Sequence, residues 1–180
     1  MFHDRKNRIQ DFIEIMSKGI SPSDARSMAE KLEAIGFFDA PASTKYHAAY
    51  AGGLYDHSCE VTLALLNLTR RLELRWSRPE SPYLVGMLHD LCKADQYTDD
   101  GAGGFIHRPG QILCGHGDKS AILALQLYPL NIEEVMCIRW HMGAYTDKTE
   151  WGCLGAAIEQ YPNVLYTHTA DMIASRVRGV

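Results

Sequence analysis

Apolar residues recur at the three- and four-residue spacing of amphipathic helices along most of the chain, and no stretch sustains strand-like alternation. Ile9, Phe12, Ile13 and Met16 mark a helix from about Arg5 to Ser17. Ser21-Pro22 supplies an N-cap followed by proline at the first helical position. The helix it opens carries Met28, Leu32 and Ile35 on one side and ends near Gly36, before a turn from Phe37 to Pro41. The Gly52-Gly53 break precedes a long helix to about Leu74, with Val61, Leu65, Leu68 and Leu72 as its buried stripe. Arg75 to Pro82 reads as a loop, and Tyr83 to Lys93 as a short apolar helix. Asp95 to Gly115 has no sustained period and reads as a long functional loop. His116 or Gly117 opens a helix to Leu127. Asn131, with Glu134 at the capping-box position, opens another that runs to His141. Gly143 to Lys148 is loop, a weaker helix covers about Gly152 to Glu159, and the last runs from about Asn163 to Arg176. The expected class is all-α, a compact helical bundle.

A length of 180 residues suits one domain, and no repeat or linker divides it. The formal charge of -4 argues against a broad basic face for duplex DNA. It leaves room for a nucleotide, because a bound metal supplies local positive charge. The cysteines, Cys59, Cys92, Cys114, Cys137 and Cys153, are odd in number and form no Cys-x-x-Cys pair. A disulfide framework or zinc finger is not expected, and cysteines in apolar helical patterns act as small hydrophobes. The opening MFHDRKNRIQDF has no apolar signal core, and no stretch is long enough to span a bilayer. The expectation is a cytoplasmic protein without membrane contact, with His3 unstructured.

Eight histidines in this length raise the question of a metal. The pair His89-Asp90 ends an apolar helix, where a buried segment would approach a cleft. Imidazole and carboxylate together suit Mn, Fe, Co, Ni or Zn. A His-Asp dipeptide alone is usually an ordinary polar pair at a helix end. Here Gly52-Gly53-Leu54-Tyr55-Asp56-His57-Ser58 precedes it. Gly115-His116-Gly117, Arg139-Trp140-His141-Met142-Gly143 and Thr169-Ala170-Asp171 follow, each on a different expected element.

This ordered series resembles the HD superfamily of metal-dependent phosphohydrolases. Gly86-Met87-Leu88-His89-Asp90-Leu91-Cys92-Lys93 is similar to the family's apolar helix ending in His-Asp-x-x-Lys. Lys45-Tyr46-His47-Ala48, Glu150-Trp151-Gly152 and Ala170-Asp171 resemble the HD domain of bacterial 3′-to-5′ exoribonucleases. The resemblance covers a core from 45 to 177, and residues 1–44 form N-terminal helices outside it. It implies an orthogonal helical bundle of the HD type within a single HD domain. It also implies two divalent transition metals (Mn, Fe, Co, Ni or Zn, with Mg possible). One would be held by His57, His89, Asp90 and Asp171. The second would be held by His116 and His141, with Asp90 bridging. Metal-activated water, rather than a side chain, would attack phosphorus.

Several neighbours carry two readings. Lys93, three residues after Asp90, is a catalytic phosphate clamp or an ion pair to a ligand carboxylate. Asp118 and Lys119 touch substrate or form a polar helix start. His47 is expected at the pocket wall and off the metal. His168 orients a ligand carboxylate or lines the cleft, or is simply packed. Tyr145 and Trp151 stack on a base or cover the core edge. Arg139 is expected in a salt bridge and His107 on a solvated loop.

The resemblance implies hydrolysis of a phosphomonoester or phosphodiester, with a nucleotide or short oligonucleotide as the partner. The chain has no room for the nucleic-acid-binding domain of the exoribonucleases, which favours a small substrate over processive RNA degradation. Two alternatives remain open. Some six-ligand HD proteins are di-iron oxygenases, and a non-catalytic nucleotide-binding module needs no turnover. Oligomeric state is not encoded in any of these features.

Overall fold

The computed structural model describes residues 4–180, so His3 lies outside the described residues. These residues form a mostly helical domain of eight α-helices with a single two-stranded hairpin. Helix α1 (Arg5–Met16) begins at Asp4, whose carboxylate accepts from the Asn7 amide at 2.9 Å. Helix α2 (Pro22–Ala34) begins at Ser21, with Pro22 in its first turn. Helices α3 (Gly53–Leu72) and α4 (Ser81–Leu88) follow, then α5 (His116–Leu127). Helix α6 (Ile132–Arg139) carries the full Asn131–Glu134 capping box. Helices α7 (Trp151–Gln160) and α8 (Asn163–Met172) complete the set, and α8 widens into a π-helical turn, Ile173–Arg178.

Three boundaries differ from expectation. Helix α4 stops at Leu88. His89 caps it, Asp90 leaves the helical region (φ -106°, ψ 21°), and a 3-10 turn covers Leu91–Ala94. Helix α6 stops at Arg139, which places His141 in the following turn. The expected loop 95–115 contains an antiparallel hairpin, β1 (Tyr97–Asp99) paired with β2 (Phe105–His107), Tyr97 opposite His107. Its tip is closed by Asp100, whose Oδ1 accepts the amides of Ala102 and Gly104. Strands of three residues are too short to display a period of two.

The core forms where α3 packs on α4 and α8, with α1 and α2 closing one side. Leu84, Val85, Met87 and Leu88 of α4 are fully buried, as are Val61 and Leu65 of α3 and Phe12 and Met16 of α1. Leu72 and Ile35, expected in the core, are 52% and 37% exposed. Each stands at the last residue or cap of its helix, where the chain runs past the packed interior.

The N-terminal helices share this core. Phe12 meets Phe38 edge-on at 5.6 Å, and Phe38 meets Phe37 at 5.3 Å. Arg8, 6% exposed, donates to the carbonyls of Phe38 (3.3 Å) and Ala51 (3.1 Å) and pairs with Asp56 at 3.7 Å. It thereby fixes the start of α3. Gly52 has φ +85°, and a Cβ there would run into the Arg8 guanidinium, so the break needs glycine twice over.

A second buried network fixes the start of α4. The Glu134 carboxylate accepts from Arg78 Nε (2.8 Å) and from the Ser81 hydroxyl (2.7 Å). Its neighbour Glu133 accepts from Asn163 Nδ2 at 2.7 Å, which joins α6 to α8. Among the described residues no helix is long and apolar enough to cross a membrane.

Helices α3 and α4 approach closely at Gly86, where a Cβ would lie 2.6 Å from Thr62 Cα. Backbone cannot yield as a side-chain tip can. Gly86→Ala should therefore destabilise the fold by about 1–3 kcal/mol, against the gain of about 1 kcal/mol that alanine brings to a free helix. Denaturant unfolding measures it, and an unchanged or raised midpoint would show that the two helices separate freely.

Candidate metal centre

The breaks in the helices bring polar groups from distant parts of the chain to one buried point. His57 comes from the first turns of α3, His89 and Asp90 from the end of α4, and His116 from the start of α5. His141 follows α6, and Asp171 stands near the end of α8. His57, His89 and His141 are fully buried, and Asp90 is 3% exposed.

Three rings are held in the same way. Nδ1 of His57, His89 and His141 lies 2.9, 2.8 and 2.7 Å from the main-chain oxygens of Val180, Gly86 and Ile138. Such an oxygen only accepts, so each Nδ1 carries hydrogen and each ring turns Nε2 inward. His57 Nε2 and His89 Nε2 are 3.3 Å apart. His57 Nε2 is also 3.3 Å from Asp171 Oδ1 and 3.5 Å from Asp90 Oδ2. On the other side of Asp90, Oδ1 lies 3.3 Å from His141 Nε2, and neither atom has a hydrogen-bond partner of good geometry. Inward lone pairs and carboxylate oxygens at these distances repel unless a proton or a cation stands among them.

Burial, against the pull of Asp90, lowers the pKa of His89 to about 4, so its Nε2 is a free donor at neutral pH. Burial would raise the pKa of Asp90, but Lys93, His89 and His141 together hold it well below the usual carboxylate range. Asp171 is lowered likewise: burial opposes its charge, and its contacts with His57 and His89 outweigh that. Both carboxylates are thus anionic. Lys93 Nζ is 2.5 Å from Asp90 Oδ2, and Asp90 keeps the buried ammonium charged although burial disfavours it.

Among the described residues, two groups of side chains have the reach to hold an ion: His57, His89 and Asp90, and Asp90, Cys92 and His116. Within each, one ligand atom per residue lies within 4.8 Å of the others. Asp90 belongs to both. Cys92 went unnoticed in the sequence because it sits in an apolar run and lacks a second cysteine at metal-binding spacing. Its Sγ lies 3.2 Å from His116 Nδ1.

A cavity of about 340 Å³ opens onto this centre, and His47, Lys93, Tyr97, Tyr145, Asp171 and Arg176 are among its lining. His47 lies beside His57, ring centroids 4.9 Å apart and tilted by 41°, with its buried Nε2 unpartnered. Other candidates stand apart. The Lys119 ammonium pairs with Asp95 and donates to Gln111 Oε1 at 2.5 Å, facing a neighbouring cavity that His107 also lines. The Arg139 guanidinium pairs with Asp118 and with Glu150 (2.6 Å). His168 donates from Nδ1 to the His141 carbonyl at 2.8 Å. Gly143 (φ +52°) lets the turn after His141 pass that ring, since a Cβ there would lie 2.5 Å from it. Trp151 and His168 line a separate apolar cavity.

Comparison with protein-family models, with curated proteins and with solved structures finds no match for this chain.

In metal-free protein, His47 and His89 have pKa values of about 4, and that of His116 is also lowered, in each case mainly by burial. The unfolded chain titrates these rings near 6.5. Because the folded values are depressed, the stability they contribute is full above about pH 6.5 and is lost as pH falls toward about 4. Burial acts on His141 too, but Asp90 overcomes it and raises that ring, which works in the opposite sense. Chelator-treated protein should therefore unfold at lower denaturant at pH 5 than at pH 7. Equal midpoints would show that the rings take up protons as readily in the fold as out of it.

Proposed function

We propose that this chain is a metal-dependent phosphohydrolase of the HD superfamily that cleaves a phosphate ester of a nucleotide or short oligonucleotide. The observation that carries the reading is the convergence of three imidazoles, each oriented by a main-chain oxygen, on Asp90 beneath a cavity bordered by cations. The ordered His, His-Asp, His, His, Asp series supports it from the sequence.

His57, His89, Asp90 and Asp171 would hold one divalent ion, and His116 and His141 a second with Asp90 between them. Mixed imidazole and carboxylate donors suit Mn, Fe, Co, Ni or Zn better than Mg. Such ions, when bound, lower the pKa of water and neutralise charge on a phosphoryl group.

The protein's own groups do the rest. Lys93 fixes the Asp90 carboxylate through their 2.5 Å contact and, lining the cavity, adds positive charge where phosphate oxygens gain negative charge. Arg176 adds a second cation at the rim. Tyr145, 60% exposed, offers a ring face to a base. The cavity volume of about 340 Å³ matches a ligand of mononucleotide size.

Metal content of purified protein, measured with phosphate release from a nucleotide panel, tests the reading. We expect about two transition-metal ions per chain and phosphate release. Asp90→Ala should lose metal and reduce activity by at least about a hundredfold. Oxygen consumption by an iron-loaded protein that releases no phosphate would replace the hydrolase with an oxygenase. Tight nucleotide binding without turnover would leave a binding module. In a separate test, Lys93→Met should keep its metal and lose about a hundredfold in kcat; an unchanged kcat would confine Lys93 to a structural ion pair.

A further inference from the structure

We propose that the Cys92 thiolate is itself a metal ligand, so that one position of the centre is a sulfur-containing site of Cys92, His116 and Asp90 that prefers Zn²⁺, Co²⁺ or Fe²⁺ to Mg²⁺. This rests on the reading of the centre as a metal site and adds a donor that the HD resemblance does not supply.

The backbone makes the arrangement possible. In a continuing α-helix, side chains two residues apart point to nearly opposite sides. The chain leaves the helix at Asp90 and tightens into a 3-10 turn, which brings Cys92 to the same side as Asp90. The Cys92 amide donates to the Ser120 hydroxyl at 3.1 Å, pinning the residue against α5, the helix that carries His116. Sγ then lies 3.2 Å from His116 Nδ1, at 1% exposure of the residue.

A second observation points to an ion. Asp90, common to both ligand groups, keeps its buried Oδ1 without a hydrogen-bond partner. A separate cavity of about 240 Å³, beside the hairpin, has Cys92, His107, Cys114 and His116 in its lining.

Ligation breaks the S–H bond, forms a sulfur–metal bond and releases one proton to solvent, with no change of oxidation state. Thiolate beside imidazole and carboxylate selects borderline ions over hard ones, whose preference is for oxygen.

The test is titration of reduced, chelator-treated protein with Co²⁺. A near-ultraviolet sulfur-to-cobalt charge-transfer band should grow with bound metal, persist in Cys114→Ser and vanish in Cys92→Ser. Zn²⁺ should displace the cobalt and abolish the band, and excess Mg²⁺ should leave it intact. X-ray absorption at the zinc edge on the unmodified protein needs no variant, and should show a sulfur neighbour at about 2.3 Å. Bound metal with no sulfur signature would overturn the proposal and leave the hydrolase reading standing. A band that survives in Cys92→Ser would also overturn it. Failure to bind any cobalt would overturn both.

Discussion

A carboxylate as deeply buried as Asp90 loses most of its hydration, and the surrounding structure compensates for that loss. One oxygen meets the Lys93 ammonium and faces His57 and His89, and the other faces His141. The lysine alone leaves Oδ1 without a hydrogen bond. The arrangement is therefore complete only when something positive occupies the space between the imidazoles and the carboxylates. Glu134, equally buried, shows the contrast: its oxygens are met by Arg78, Ser81 and the Asn131 amide, and it serves as a fixed structural joint.

The scaffold around Asp90 is organised to keep this space open. Helix α4 is apolar almost throughout and packs on all sides, so its end is carried into the interior. Breaking the helix at Asp90 lets two adjacent side chains serve one centre, and the turns after α6 and α4 do the same for His141 and Cys92. Main-chain oxygens at Gly86, Ile138 and Val180 set the orientation of the rings. His168 holds the chain at His141 from behind. These contacts restrain the donors without occupying the positions they point to.

Much of the helix order was legible in the sequence because local chemistry controls it. Ser21-Pro22 and the Asn131–Glu134 box act within a single turn, and the buried stripes of α1 and α3 follow from periodicity. The histidines and acids that meet at the centre were visible as an ordered series. Their separations in space were not, because they depend on where helices stop. The pattern around Tyr83 to Lys93 stays apolar past Leu88, and nothing local marks Asp90 as the exit. Cys92 was hidden for the same reason, since on a continuing helix it would face away. Lys119, read as touching substrate or forming a polar helix start, instead meets Asp95 and Gln111, which the folded hairpin segment supplies. The contact between Gly143 and His168 likewise joins residues that only the tertiary fold brings together.

The donors facing this space extend from residue 57 to residue 171 and come from the starts of α3 and α5, the ends of α4 and α8, and the turn after α6. Only the fully assembled domain can present them together. An ion captured there would act as a rivet through the whole molecule, with binding favouring the folded state by an amount that grows with the logarithm of its free concentration. Its release would require elements to part that are far separated along the chain, so escape would follow the cooperative opening of the domain rather than the fraying of any one helix.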